Sequence, residues 1–168
     1  MDKQLLRVNI EKLYEVLPYV DKYIKPAYHT GIGEQSWESL LGRAFLGDVI
    51  FWLAFDDGVV VGAGSTEVID FDGYRCVHVI TSGTDTGNGF WDYHYAYEEY
   101  ARQIGAKHVQ FWGRKGWSRV VDKITGQTYG EKYKEVYRVF SMEIKYESDK
   151  DDAEPDHAPH EPLGSGSP

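Results

Sequence analysis

Two side chains able to move a proton, Glu67 and His78, stand on either side of an Asp72-Gly73 dipeptide. Asp-Gly between runs of β-branched and aromatic residues signals a two-residue hairpin, and the turn fixes the register. With Asp72 and Gly73 as the loop, partners are residues whose numbers add to 145, so Asp70 meets Arg75 and Glu67 meets His78. A carboxylate opposite an imidazole can be a general-base pair that takes a proton from a nucleophile. It can equally be a polar cross-strand pair that serves the sheet alone.

A second candidate is the stretch 81–89, Thr-Ser-Gly-Thr-Asp-Thr-Gly-Asn-Gly, which reads as a loop running into a helix. Glycines permit close backbone approach to a ligand, and the first amides of a helix attract an anion. Ser82, Gly83, Gly87, Asn88 and Gly89 are the residues that would line such a cradle, and Asp85 adds a negative charge inside it. The plain alternative is a strand-to-helix connection. Arg114, Lys115 and Arg119 form a local basic cluster, suited to a phosphate or an acidic partner, or to a solvated turn with capping cations. His94 lies among Trp91, Tyr93, Tyr95, Tyr97 and Tyr100, with no second ligand at a useful spacing, and reads as a core or interface histidine rather than a metal ligand. Those rings surround much of the helix, so some are expected at the surface, where Tyr and Trp favour protein contacts. Cys76, on a strand beside His78, is expected to be a buried structural thiol.

These residues need elements to carry them. Ile10, Leu13, Leu17, Val20 and Ile24 recur at helical spacing, predicting a helix over 9–23 that bends or ends near Pro18 and is closed by Pro26. Trp37, Leu40, Leu41, Ala44 and Phe45 predict a second helix between a Ser36 cap and Gly47. Both are expected to precede any strand. Strands are expected over 49–55, 59–69 and 74–81, joined at Asp57-Gly58 and Asp72-Gly73. A helix over 90–104 then leads to a strand over 107–112, parallel to 74–81 because a helical crossover joins them. A short helix over 117–124 and a last strand over 135–146 complete the pattern.

The chain of 168 residues is 42% hydrophobic and carries a formal charge of -9. Residues 147–168 hold seven acidic side chains and one lysine, a net -6, which leaves -3 for residues 1–146. No aromatic residue falls after Tyr146, and four of the six prolines do. We therefore expect one domain over 1–146 and a disordered acidic tail over 147–168. The net charge argues against a nucleic-acid backbone as partner. The longest apolar run, 49–55, is far short of the roughly 20 residues that cross a membrane. A single cysteine excludes an intrachain disulfide, and residues 1–4 lack the pattern of a secretory signal, so a reducing, cytoplasmic setting is expected.

Two helices, an antiparallel meander, a glycine-bearing loop into a helix, a parallel strand, a short helix and a last strand resemble the GCN5-related N-acetyltransferase (GNAT) fold over 5–146. That is an α+β fold with a mixed central sheet and helices on both faces. Residues 100–121, with Gly113, Arg114, Gly116, Trp117, Arg119 and Val120, are similar to small GNAT-like proteins of tailed bacteriophages. The resemblance implies an acyl-CoA-dependent N-acetyltransferase acting on an amine, with acetyl-CoA as substrate and no metal. It implies that acetyl-CoA lies where strands 74–81 and 107–112 splay apart, its pyrophosphate on Ser82, Gly83, Gly87, Asn88 and Gly89 and its 3'-phosphate at Arg114. Glu67 or His78, through water, would then take the amine proton.

The chain also departs from that family. The Arg/Gln-x-x-Gly-x-Gly/Ala signature is absent, with no Arg, Gln or Lys between Arg75 and Arg102. Val121, Asp122 and Lys123 stand where many members carry a general-acid tyrosine, leaving Tyr129 or Tyr133 as substitutes. The departures imply an alternative: a non-catalytic virion, assembly or host-factor-binding protein that keeps the scaffold, with phage structural or host proteins as partners, in the host cytoplasm or the virion.

Overall fold

Three strands, Val49–Asp56 (β2), Val59–Asp70 (β3) and Arg75–Thr84 (β4), form an antiparallel meander in the computed structural model, which describes residues 2–28, 35–85 and 89–112. Asp57 at φ 49° and Gly58 at φ 81° both lie in the left-handed region, the backbone of a tight hairpin turn whose twist suits the strands it joins. At the second turn Asp70 pairs with Arg75 and Glu67 with His78, as the turn arithmetic requires. That register holds to Thr66 and Val79, then shifts by one: Ser65 pairs with Thr81, and Ile80 is the extra residue of a bulge.

A short strand, Lys3–Arg7 (β1), precedes both helices, which corrects the expectation that no strand does. It pairs antiparallel with β2 and buries only Leu5, too little alternation to betray it in sequence. His108–Phe111 (β5) pairs parallel with Cys76–Val79, as the crossover predicts. The sheet is therefore mixed, in the order β1-β2-β3-β4-β5.

Asn9 caps a single turn of tight helix at Ile10–Lys12, its side-chain oxygen accepting from the Glu11 amide at 3.2 Å. Leu13–Tyr23 (α1) then runs on through Pro18 rather than ending there. The proline withholds a hydrogen bond only from the Tyr14 carbonyl, on a residue that is 75% exposed and open to water. Lys25–Tyr28 (α2) takes Pro26 into a short helical turn. Ser36 caps Trp37–Leu46 (α3), and Gly47 at φ 86° ends it. The helix expected over 90–104 is divided: a tight turn over Gly89–Tyr93, then Tyr95–Gln103 (α4).

Alternate residues of β2 face opposite layers. Val49, Phe51 and Leu53 pack with Leu13, Val20, Ile24 and Leu40 of the α1–α3 layer, while Trp52 and Ala54 pack with Val77, Tyr93 and Tyr97 on the α4 side. Helices thus cover both faces, and a truncation such as Leu40→Ala removes a fully buried side chain at about 2–5 kcal/mol. All described residues belong to the unit Met1–Tyr133; the expected helix over 117–124, strand over 135–146 and tail over 147–168 lie outside them. Among the described residues, no helix is long and apolar enough to cross a membrane.

Candidate active site

Glu67 and His78 face the α1–α3 layer from the centres of β3 and β4, and the hairpin register sets them side by side. His78 Nδ1 lies 2.9 Å from Glu67 Oε1, and Arg43, from the last turn of α3, ion-pairs with Oε2. Burial works to raise the Glu67 carboxyl. The hydrogen bonds from Arg43 and His78 outweigh it and hold the group below its ordinary value. The His78 side chain is 5% exposed, and its Nε2 is buried with no hydrogen-bond partner among the described residues. The Trp112 ring, just past the end of β5, covers it at 4.6 Å between ring centroids. Tyr28 of α2 packs on Trp37 of α3, close enough to feel the charges of Arg43 and Glu67, and burial pushes its phenol up to about 12. Cys76 is wholly buried and its thiol is raised to about 11, chiefly by that burial, as expected of a structural cysteine.

Next to this cluster, β4 runs on to Thr84 past Val79, which pairs with Phe111 as the last of the β4–β5 pairs among the described residues. Composition predicted a loop from Thr81, yet Ser82 and Gly83 are strand residues paired with Gly64 and Ala63. The bulge and the packing of α1 explain the small residues there. A Cβ on Gly83 would lie 2.1 Å from the Tyr23 carbonyl oxygen, so the end of α1 reaches the sheet only over a glycine. The Asp85 amide donates to Val61 across β3 at 2.9 Å. Strand alternation from that point turns the Ser82 N–H the other way, toward the β5 side.

Asp85, which sequence placed as a bare negative charge in the loop, is not bare. Its Oδ2 accepts from Lys22 Nζ and from the Tyr23 hydroxyl, each at 2.7 Å. These hydrogen bonds, Lys22 first, hold its carboxyl below the ordinary value. Gly89 opens the helical turn that follows, whereas Gly87, Asn88 and Arg114 lie outside the described residues, as do Tyr129 and Tyr133. The structure therefore brings Glu67 and His78 together and sets Ser82 and Gly83 farther along the same strand. His94 is a core residue, with Nδ1 2.9 Å from the Trp91 carbonyl oxygen and Nε2 2.8 Å from Glu98. Of the helix aromatics, Tyr93 and Tyr97 are buried and Tyr95 is exposed.

Sequence reasoning passed over Arg43, Tyr28, Lys22 and Tyr23. Arg43 follows the buried Leu40 by three residues and precedes Ala44, so a cation flanking the apolar stripe of α3 was the available signal.

This mixed sheet with helices on both faces matches the fold of solved proteins. An aminoglycoside acetyltransferase from an uncultured soil metagenomic sample superposes with a TM-score of 0.58 at 11% identity, over 84% of this chain and 97% of that one. The chain has the GNAT acetyltransferase fold. A ribosomal-protein-alanine N-acetyltransferase from Brucella melitensis matches at 0.55 and 11% identity, over 85% of this chain and 100% of that one. An aminoglycoside N-acetyltransferase, AAC(6')-Iy, in complex with CoA matches at 0.51 and 12%, over 86% and 96%. No protein-family model and no curated protein sequence matches the chain.

Proposed function

We propose that this protein is an acyl-CoA-dependent N-acetyltransferase, with acetyl-CoA as donor and a primary amine as acceptor. The observation that carries the reading is the stretch of β4 beyond Val79, where the Ser82 N–H turns to the β5 side on the same strand as His78 of the Glu67–His78 pair. A thioester arm laid along that edge would meet a backbone donor of the kind that stabilises a developing oxyanion. The amine nitrogen attacks the thioester carbonyl, the C–N bond forms, and the C–S bond breaks. The Glu67–His78 pair takes the ammonium proton before attack, and the departing thiolate takes one as it leaves. Gly87, Asn88, Gly89 and Arg114 are proposed to receive the phosphates. Lys22 supports this role for the loop, since it offsets the Asp85 charge that would oppose an anion there. Such a reaction belongs where acetyl-CoA is held, in a cytoplasm.

A second reading, a phage-type contact protein of the virion or of assembly, draws on the missing Arg/Gln signature and on an exposed apolar patch. In that patch Tyr14 stacks on Phe45 at 4.9 Å beside Leu46. Calorimetric titration with acetyl-CoA separates the two readings. Transferase function predicts a dissociation constant tighter than about 1 mM, near -4 kcal/mol. No heat and no thermal shift at saturating acetyl-CoA would overturn it in favour of the contact protein.

A further inference from the structure

We infer that Arg43 is a positioning residue: acting through Glu67, it keeps His78 a neutral ring with its proton on Nδ1 and its lone pair on Nε2, which makes Nε2 the base. The inference rests on the transferase reading and goes beyond it by choosing the atom and assigning a residue that the reading leaves out.

Each Glu67 oxygen has its own donor, Arg43 at Oε2 and His78 at Oε1. An ionised carboxylate only accepts hydrogen bonds, so the atom facing Oε1 must be a donor, and Nδ1 carries a proton. Nε2 is then either a second N–H on a charged ring or a bare lone pair. It is buried and has no acceptor among the described residues. A charged N–H left without a partner there is far costlier than an idle lone pair. Charge balance points the same way, because Arg43 already matches Glu67.

The other described groups of the cluster bring no further charge. Tyr28 from α2 and Cys76 from β4 are both raised by burial and stay neutral near pH 7. From β5, Gln110 pairs with His78 across the strands and His108 meets Tyr74 edge to face, while Trp112, just past the strand, packs on the His78 ring. Because Nδ1 is committed toward β3, Nε2 points away from it, to the β5 side where the Trp112 ring lies. Trp112, 65% exposed, is the residue that must shift for an amine or a water to reach it. Nε2 then accepts one proton from the ammonium, leaving a neutral nitrogen to attack and an imidazolium whose Nδ1–H still faces Glu67.

Nitrogen-15 NMR of the imidazole rings in the unliganded full chain tests this without any substrate. In the wild type at pH 7.5 the His78 signals should show a protonated Nδ1 and an unprotonated Nε2. In Arg43→Gln that single form should be lost at the same pH, because Glu67 is left without its cation and draws a second proton onto the ring. Arg43→Lys should restore the wild-type form. If Arg43→Gln does not fold, the wild-type spectrum still decides, since a proton on Nε2 at pH 7.5 overturns the inference. A wild-type spectrum in a folded Arg43→Gln also overturns it. Failure of the transferase reading looks different: acetyl-CoA does not bind, and the ring state is as predicted.

Discussion

Two clusters of the same make-up, a carboxylate receiving a cation and a third donor, lie along strand β4 in opposite surroundings: one where His78 faces Glu67 of β3, the other just past the strand's end. At mid-strand, Glu67 is 19% exposed and is held by Arg43 and His78. At the strand end, Asp85 is 59% exposed and is held by Lys22 and Tyr23. Water screens the second cluster and can replace either of its partners, so that cluster can open for a ligand at little cost. The first has no such substitute and fixes the geometry of whatever it touches. On the proposed reading the difference gives them different work: the half-buried trio sets a protonation state, and the exposed one tunes the field of a loop.

Substitutions that break one cluster and spare the other sharpen this contrast. The largest expected effect is on turnover. His78→Ala should lower kcat for acetyl transfer by roughly 100-fold or more, while calorimetry shows acetyl-CoA affinity little changed. Gly83→Ala comes next, and it acts on stability. The new Cβ collides with the Tyr23 backbone, so the loss should be about 3 kcal/mol in urea unfolding, and α1 should shift off the strand end that carries Asp85.

Glu67→Gln should cost on the order of 2 kcal/mol, since Arg43 is then half-buried beside an uncharged partner. Its pH signature is distinctive. The Glu67 carboxyl is held below its ordinary value of 4.5, so its stabilisation is present above that pH and is lost as pH falls through the lower folded-state value. The wild type should therefore lose its advantage over Glu67→Gln only in acid, below about pH 4.5, as thermal melts across pH would record. Asp85→Asn is the smallest change. The melting temperature should stay put, and acetyl-CoA affinity should rise severalfold as Lys22 is freed toward the phosphates. A large fall in stability there would erase the contrast between the clusters.

What could be read in advance followed local chemistry. Asp72-Gly73 dictates a turn, and the turn alone places Glu67 on His78, because register needs no distant contact. The layers of the fold were legible for the same reason, in helical stripes and β-rich runs. What escaped reading depends on distant residues. Ser82 and Gly83 resemble loop by composition and are strand because α1 packs over them, a tertiary effect stronger than propensity. Lys22 and Tyr23 reach Asp85 across more than 60 residues of chain, and Arg43 reaches Glu67 only once α3 lies on the sheet. β1 has a single buried residue to declare itself.

The central claim is that the coenzyme occupies the edge of β4 beyond Val79. Backbone amide shifts of the nitrogen-15-labelled full chain, followed as CoA is added, test it most directly. The account predicts the largest shifts at Ser82 and its neighbours from Ile80 to Asp85 and at Gly89, with β1 and the Asp57-Gly58 turn unmoved. Saturable binding whose shifts fall elsewhere, or no shift at all at millimolar CoA, would contradict it.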